Sequence, residues 1–329
     1  MKLVILGAGA VGLVIGARLA RAGSDVLFVS KRPEQAQQIQ REGVRVEDPA
    51  SGDAWEVRAR AVAGVAKARE ALCEGPVILC VRAPQVDAAT GPLARVAPAA
   101  TIVGAQNGVD TDTLLASRFP RLLGLVVRQT YTRTGDAAAR TIGAGRLILG
   151  AHPHGAGPDV EALAEALRAA GYDVGISQQI GEDRWLKLCI NLMSAPNALI
   201  RREDHTTRAF VEIKARLLEE ARAVLAAAGI EARSCDGRDR SLAEEITYQR
   251  HARELGTNAR LLPLYNQVWS ALRHGGPLEA NDYHRRILEL AATHKVPALL
   301  NERVLDVLER CAREKKGPES VRASEILDV

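Results

Sequence analysis

An apolar run, Leu3-Val-Ile-Leu6, leads directly into Gly7-Ala-Gly9-Ala-Val-Gly12. No other stretch restricts the fold of this chain as strongly. Four consecutive apolar residues suit a strand buried on both faces. Ala10 to Ala22 then carries helix-forming residues up to Gly23, a fitting C-cap, and Asp25-Val-Leu-Phe-Val-Ser30 is a second strand. Two strands joined through a helix run parallel. Gly-x-Gly-x-x-Gly alone is weak evidence, but after a strand and at the opening of a helix it reads as a dinucleotide fingerprint. Gly7 would permit the tight turn, Gly9 would let the backbone approach a pyrophosphate, and Gly12 would let helix and strand pack closely. Ala8, Ala10 and Val11 complete the loop, where free N–H groups and the helix dipole favour an anion.

The end of the second strand bears on which dinucleotide binds. About 20 residues past the glycines, NAD-preferring sites carry an acid that holds the ribose hydroxyls. Here that position reads Ser30-Lys31-Arg32, with Glu34 just beyond. A carboxylate would repel a 2′-phosphate, whereas two cations and a hydroxyl can bind it. NADP(H) is therefore the expected cofactor, held by Lys31 and Arg32. The plain alternative is that both cations simply face solvent.

Further apolar runs occur at Val77–Val81 and Thr101–Ala105, with weaker ones at Gly124–Val127 and Arg146–Leu149, separated by helical or turn-rich stretches. This alternation predicts an α/β fold, a Rossmann-like doubly wound parallel sheet. From Asp183 onward, helical periods dominate: Arg184–Leu199, Thr206–Ala228, Arg240–Leu255, Glu279–His294 and Val296–Arg313. The pattern divides the chain into a dinucleotide-binding domain over residues 1–179 and an all-α domain over 180–329. At 329 residues and 47% hydrophobic composition, both have enough material for a core; with aromatics at 3%, those cores must be Leu, Val, Ile and Ala.

A net charge of +4 without a basic stripe gives no case for nucleic acid. Leu3–Ala17 is uncharged, but it is broken by four glycines and is shorter than the roughly 20 apolar residues of a membrane span. No membrane association is expected. Five cysteines without a Cys-x-x-Cys pair argue against a disulfide framework or a metal site, and a reducing cytoplasm is the expected compartment. The apolar stripes of the helical half would serve a homodimer as well as a core.

Several polar residues stand where chemistry could occur. Arg82 and Asn107 follow strands, at the edge where doubly wound sheets bind their ligands. Asn107 precedes a glycine, so a plain turn role is also open. Lys187, Asn191 and Ser194 are spaced to share one helix face within an apolar stretch. A cleft-facing lysine can protonate a carbonyl oxygen; a snorkelling surface lysine is the bland alternative. Glu279 lies in a helix first turn, where an acid is favoured by the dipole alone.

Taken in order, several segments resemble the ketopantoate reductase family over nearly the whole chain. They are Gly7 to Gly12, Gln106-Asn107-Gly108-Val109, Gly143-Ala-Gly145-Arg-Leu-Ile-Leu-Gly150, Trp185-Leu-Lys187-Leu-Cys-Ile-Asn191 and the Glu279 helix. The resemblance implies NADPH-dependent reduction of the C2 ketone of 2-dehydropantoate on the pantothenate route. It implies a Rossmann domain followed by a helical one, with the active site between them. It makes Lys187 the catalytic lysine, Glu279 its supporting acid, Asn107 the asparagine at the cofactor–substrate junction, and Asn191 a substrate ligand. Asn266, in Leu264-Tyr-Asn266-Gln267, is the nearest match to a substrate-binding serine, and Ser194 could serve where many members have a second Asn, since Ala195 stands there.

Arg82, on the cofactor side, replaces the family's usual Lys, and Asn281 and His284-Arg285 replace an acid and an Asn-Gly. These departures leave open a same-fold reductase of another bulky 2-keto acid. A non-catalytic NADP(H)-binding sensor is a third reading.

Overall fold

The structure, a computed structural model, describes residues 1–49, 52–251 and 266–327. Runs of Val, Ile and Leu build an eight-stranded sheet from β1 (Lys2–Leu6), β2 (Asp25–Ser30), β5 (Arg60–Ala63), β6 (Val77–Leu79), β7 (Thr101–Gly104), β8 (Arg121–Val127), β11 (Arg146–Ala151) and β12 (Asp173–Ile176). Their spatial order is β12-β11-β8-β7-β6-β1-β2-β5, and every neighbouring pair is parallel except β8 with β11. From β5 to β8 the six parallel strands follow the doubly wound order 3-2-1-4-5-6. The direction of winding reverses between β1 and β6, so the loops after these strands flank the crevice where such sheets bind ligands.

Helices α1 (Ala10–Arg21), α2 (Pro33–Glu42), α3 (Arg69–Glu74), α4 (Val86–Val96), α5 (Asp110–Arg118) and α6 (Pro158–Ala169) complete the layers. Successive β1 residues point to opposite faces. Leu3 and Ile5 join one apolar core with Leu13 and Ala17 of α1, while Val4 and Leu6 join another with Leu72, Leu93 and Leu115. Burial on both faces is what makes these strands read as unbroken apolar runs.

A second sheet lies over α1. It comprises β3 (Val44–Asp48), β4 (Asp53–Val57), β9 (Thr130–Gly135) and β10 (Ala138–Ile142), ordered β4-β3-β10-β9. β10 runs parallel to β3, and the remaining pairs are antiparallel. Sequence patterning does not anticipate this sheet. Its buried residues are only Val44 and Val46 on β3 and Ala139 and Thr141 on β10; β4 and β9 have none, and most of the other positions are polar.

The chain divides into two units, Met1–Asp183 and Arg184–Val329. The described helices of the second are α7 (Ile180–Leu192, starting in the first unit), α8 (Ser194–Leu199), α9 (Arg208–Ala227), α10 (Leu242–His251), α11 (Gln267–His274), α12 (Glu279–His294), α13 (Leu299–Arg313) and α14 (Ser324–Leu327). Among the described residues its only β feature is the bridge Ile200–Val321. The single helix expected over Arg184–Leu199 is interrupted at Met193. Pro196 has no N–H to offer the Leu192 carbonyl, and its ring crowds that carbonyl, so α7 stops there. The end of the expected Arg240–Leu255 helix lies outside the described residues.

Candidate functional site

The turn after β1 is tight where the fold requires it and open where a ligand would approach. Gly7 has φ +106°, and a Cβ at Gly12 would lie 2.1 Å from the Gly7 carbonyl oxygen. Only glycine allows α1 to sit this close to the turn. A Cβ at Gly9 would meet no atom within 4 Å. Gly9 is also the N-cap of α1, no side chain caps it, and the first turn carries no acid. These N–H groups suit a pyrophosphate. Ala8 is buried, and Ala10 and Val11 are half-buried beside it.

At the end of β2 the structure adds partners that the sequence did not suggest. The Ser30 hydroxyl is buried and donates to Gln35 Oε1 at 2.6 Å, so it is not the free phosphate ligand that sequence reasoning had in view. Gln35 Nε2 in turn donates to the carbonyl oxygens of Ala8 (2.7 Å) and Asp136 (2.8 Å). The turn between β9 and β10 is thereby fastened to the glycine loop. Lys31 is exposed. Arg32 is not simply solvent-facing: its Nη1 and Nη2 donate to the two carboxylate oxygens of Asp136 at 3.1 and 2.5 Å. This hydrogen-bonded pair raises Arg32 above the usual guanidinium range and holds Asp136 below the usual carboxylate range.

Across the crevice, Arg82 is exposed and begins the short turn after β6. Asn107 is half-buried after β7. The neighbouring Gln106 is buried and donates to the carbonyls of Leu79 (2.7 Å) and Val81 (3.0 Å), clamping the ends of β6 and β7 together. Its role could have been suspected only from its place beside Asn107. Burial pushes the Cys80 thiol, also at this edge, up to about 12, so it is no thiolate nucleophile.

The second unit holds the remaining candidates. Lys187 and Asn191 are half-buried on α7, between the buried Leu186, Leu188 and Leu192. The break at Met193 puts Ser194 on α8, and its hydroxyl donates to the Asn191 carbonyl at 2.5 Å. Asn266 Nδ2 donates to the Ser194 carbonyl at 2.8 Å, while its Oδ1 caps α11 through Trp269 N–H at 2.9 Å. Ser194 and Asn266 are thus neighbours. Glu279 opens α12, is 8% exposed, and accepts from the Tyr283 hydroxyl at 3.1 Å.

His284, one turn further, is fully buried with Nδ1 2.9 Å from Asn301 Oδ1. Asn301 Nδ2 and N–H donate to Glu220, which also accepts from Leu300 N–H at the start of α13. Burial pushes His284 down to about 4, so it is neutral at physiological pH. This chain ties together α9, α12 and α13. Neither Gln35, Asp136, Glu220 nor Asn301 carries a local motif that would have marked it.

Among the described residues, no group of three or more His, Cys, Asp or Glu could hold a metal ion, and no helix is long and apolar enough to cross a membrane.

Comparison with known proteins bears on the fold. Residues 3–154 match the family model described as ketopantoate reductase PanE/ApbA. A 2-dehydropantoate 2-reductase of Halobacterium salinarum is 23% identical over 95% of this chain and 100% of its own length. The crystal structure of a PanE/ApbA family ketopantoate reductase from Ralstonia eutropha superposes with a TM-score of 0.76 at 22% identity, covering 96% of this chain and 100% of that one. D-mandelate dehydrogenase, solved as a ternary structure with NADH and anilino(oxo)acetate, has the same fold at a TM-score of 0.75 and 19% identity, with coverage of 96% and 100%.

Proposed function

We propose that this chain is a member of the ketopantoate reductase family, an oxidoreductase acting on a CH–OH group, and that it reduces the C2 ketone of 2-dehydropantoate with NADPH. The observation that carries the reading is the glycine turn, closed around Gly7 and Gly12 and open at Gly9, at the switch point of a doubly wound sheet. Gly7 to Gly12 would hold the pyrophosphate, Lys31 and Arg32 the 2′-phosphate, and Arg82 and Asn107 the rest of the dinucleotide. A nicotinamide held this way supplies the hydride.

The protein's own residues have the other tasks. A ketone receiving a hydride becomes an alkoxide, and a positioned acid that protonates its oxygen lowers the barrier. Lys187 has that role in this reading. Glu279 holds the lysine, with Tyr283 restraining its carboxylate. Asn107, Asn191, Ser194 and Asn266 orient the substrate. For Ser194 and Asn266 this would take place through whatever hydrogen-bonding capacity remains beyond the bonds described above.

NADPH oxidation measured at 340 nm against a panel of 2-keto acids tests the proposal. The expected result is a kcat/KM for 2-dehydropantoate well above that of every other acid. A different bulky 2-keto acid at the top of the panel would replace the substrate and keep the reaction. The D-mandelate dehydrogenase fold, seen with anilino(oxo)acetate, favours that second reading. NADPH binding with no oxidation by any acid would leave only a sensor.

A further inference from the structure

Asp136 stands at the turn between β9 and β10, and its place is fixed twice. Its backbone carbonyl accepts from Gln35, whose same Nε2 bonds the Ala8 carbonyl in the glycine loop. Its carboxylate takes both terminal nitrogens of Arg32, with Arg133 Nη1 a further 3.6 Å away. Arg32 and Asp136 are equally half-buried, each with 33% of the side chain exposed. Glu34 lies 3.9 Å from Arg32 and is largely exposed.

We propose that Asp136 sets the balance between NADPH and NADH by competing with the 2′-phosphate for Arg32. The inference rests on the reading above that Arg32 meets that phosphate. A guanidinium offers five N–H donors in a planar fork, and the carboxylate already holds one from each terminal nitrogen. An arriving phosphate must either displace Asp136 or bind beside a like charge. A 2′-hydroxyl meets no such obstacle. It finds at Asp136 the kind of acceptor that NAD-preferring sites place at the end of the second strand. The carboxylate missing from Ser30-Lys31-Arg32 is thus supplied from a hairpin of the small sheet. Lys31 and Arg32 pull toward NADPH, and Asp136 pulls back.

Calorimetric titration with adenosine 2′,5′-bisphosphate and with 5′-AMP separates the 2′-phosphate from everything else. Asp136→Asn keeps the shape of the side chain and removes its charge. It should tighten the bisphosphate about tenfold, the scale of one partly screened charge pair, and weaken 5′-AMP slightly, because the 2′-hydroxyl loses a charged acceptor. The kcat/KM ratio of NADPH over NADH should rise in parallel. Unchanged or weaker bisphosphate binding in Asp136→Asn would overturn the proposal, because Asp136 would then merely orient Arg32. Asp136→Ser, with the melting temperature of each variant, separates loss of charge from loss of the hairpin: both variants must show the gain. Arg32→Ala tests the premise independently. If that variant still prefers the bisphosphate as strongly as wild type, Arg32 does not meet the phosphate, whatever Asp136→Asn does.

Discussion

Lys187 sits half-buried on α7 between Leu186 and Leu188, both buried. An ammonium beside so much apolar surface must keep its head near polar groups, because burying it unpaired is costly. In the proposed reaction that head delivers a proton, and loss of a positioned acid typically slows a reaction about 10²–10⁴-fold. Lys187→Ala is therefore expected to lower kcat by that order and leave NADPH affinity, measured by fluorescence titration, close to wild type. Near-wild-type turnover would remove Lys187 from the mechanism. Arg32 makes a different point at the same scale. The sequence shows its charge, but its effect depends on Asp136, 104 positions away. Ser30 lies beside it with its hydroxyl already engaged by Gln35.

The strand–glycine–helix element joins fold and function, and its glycines are not equivalent. A methyl group at Gly12 would overlap the Gly7 carbonyl, whereas one at Gly9 would enter open space. Gly12→Ala should cost about 1–3 kcal/mol or more by forcing α1 away from the turn, lowering the melting temperature. Gly9→Ala has an extended backbone that alanine accepts, with φ −82° and ψ −172°. It should melt like wild type yet bind NADPH about tenfold or more weaker, the equivalent of 1.4 kcal/mol. Equal melting temperatures for the two variants would contradict this division of roles. The interruption of α7 belongs to the same scale. Pro196 ends the helix at Leu192, and Ser194 gives the Asn191 carbonyl a partner.

At the scale of the whole molecule, polar links between distant segments hold helices and hairpins in register, and one of them makes stability depend on pH. His284 has an unfolded value near 6.5 and a folded value of about 4 because it is buried. The folded state binds fewer protons between those values. The stability from keeping this ring neutral is complete above about pH 6.5 and is lost as pH falls toward 4, at about 1.4 kcal/mol per unit. Melting temperatures between about pH 4.5 and 7.5 should therefore fall on the acid side. His284→Gln should melt lower at neutral pH but fall less steeply; parallel curves for the two proteins would refute this.

The sequence alone determined the β1–glycine–α1–β2 order and the helical second half, because both are local. Strand runs buried on two faces, a helical period and a turn that only glycine can make leave their marks within a few residues of one another. The tertiary structure alone decided that a second sheet covers α1, that Asp136 faces Arg32, and that Glu220, Asn301 and His284 form one chain. These partners lie far apart in the sequence and sit on strands and helices with mixed polarity. Packing brings them together, and no periodicity records that outcome.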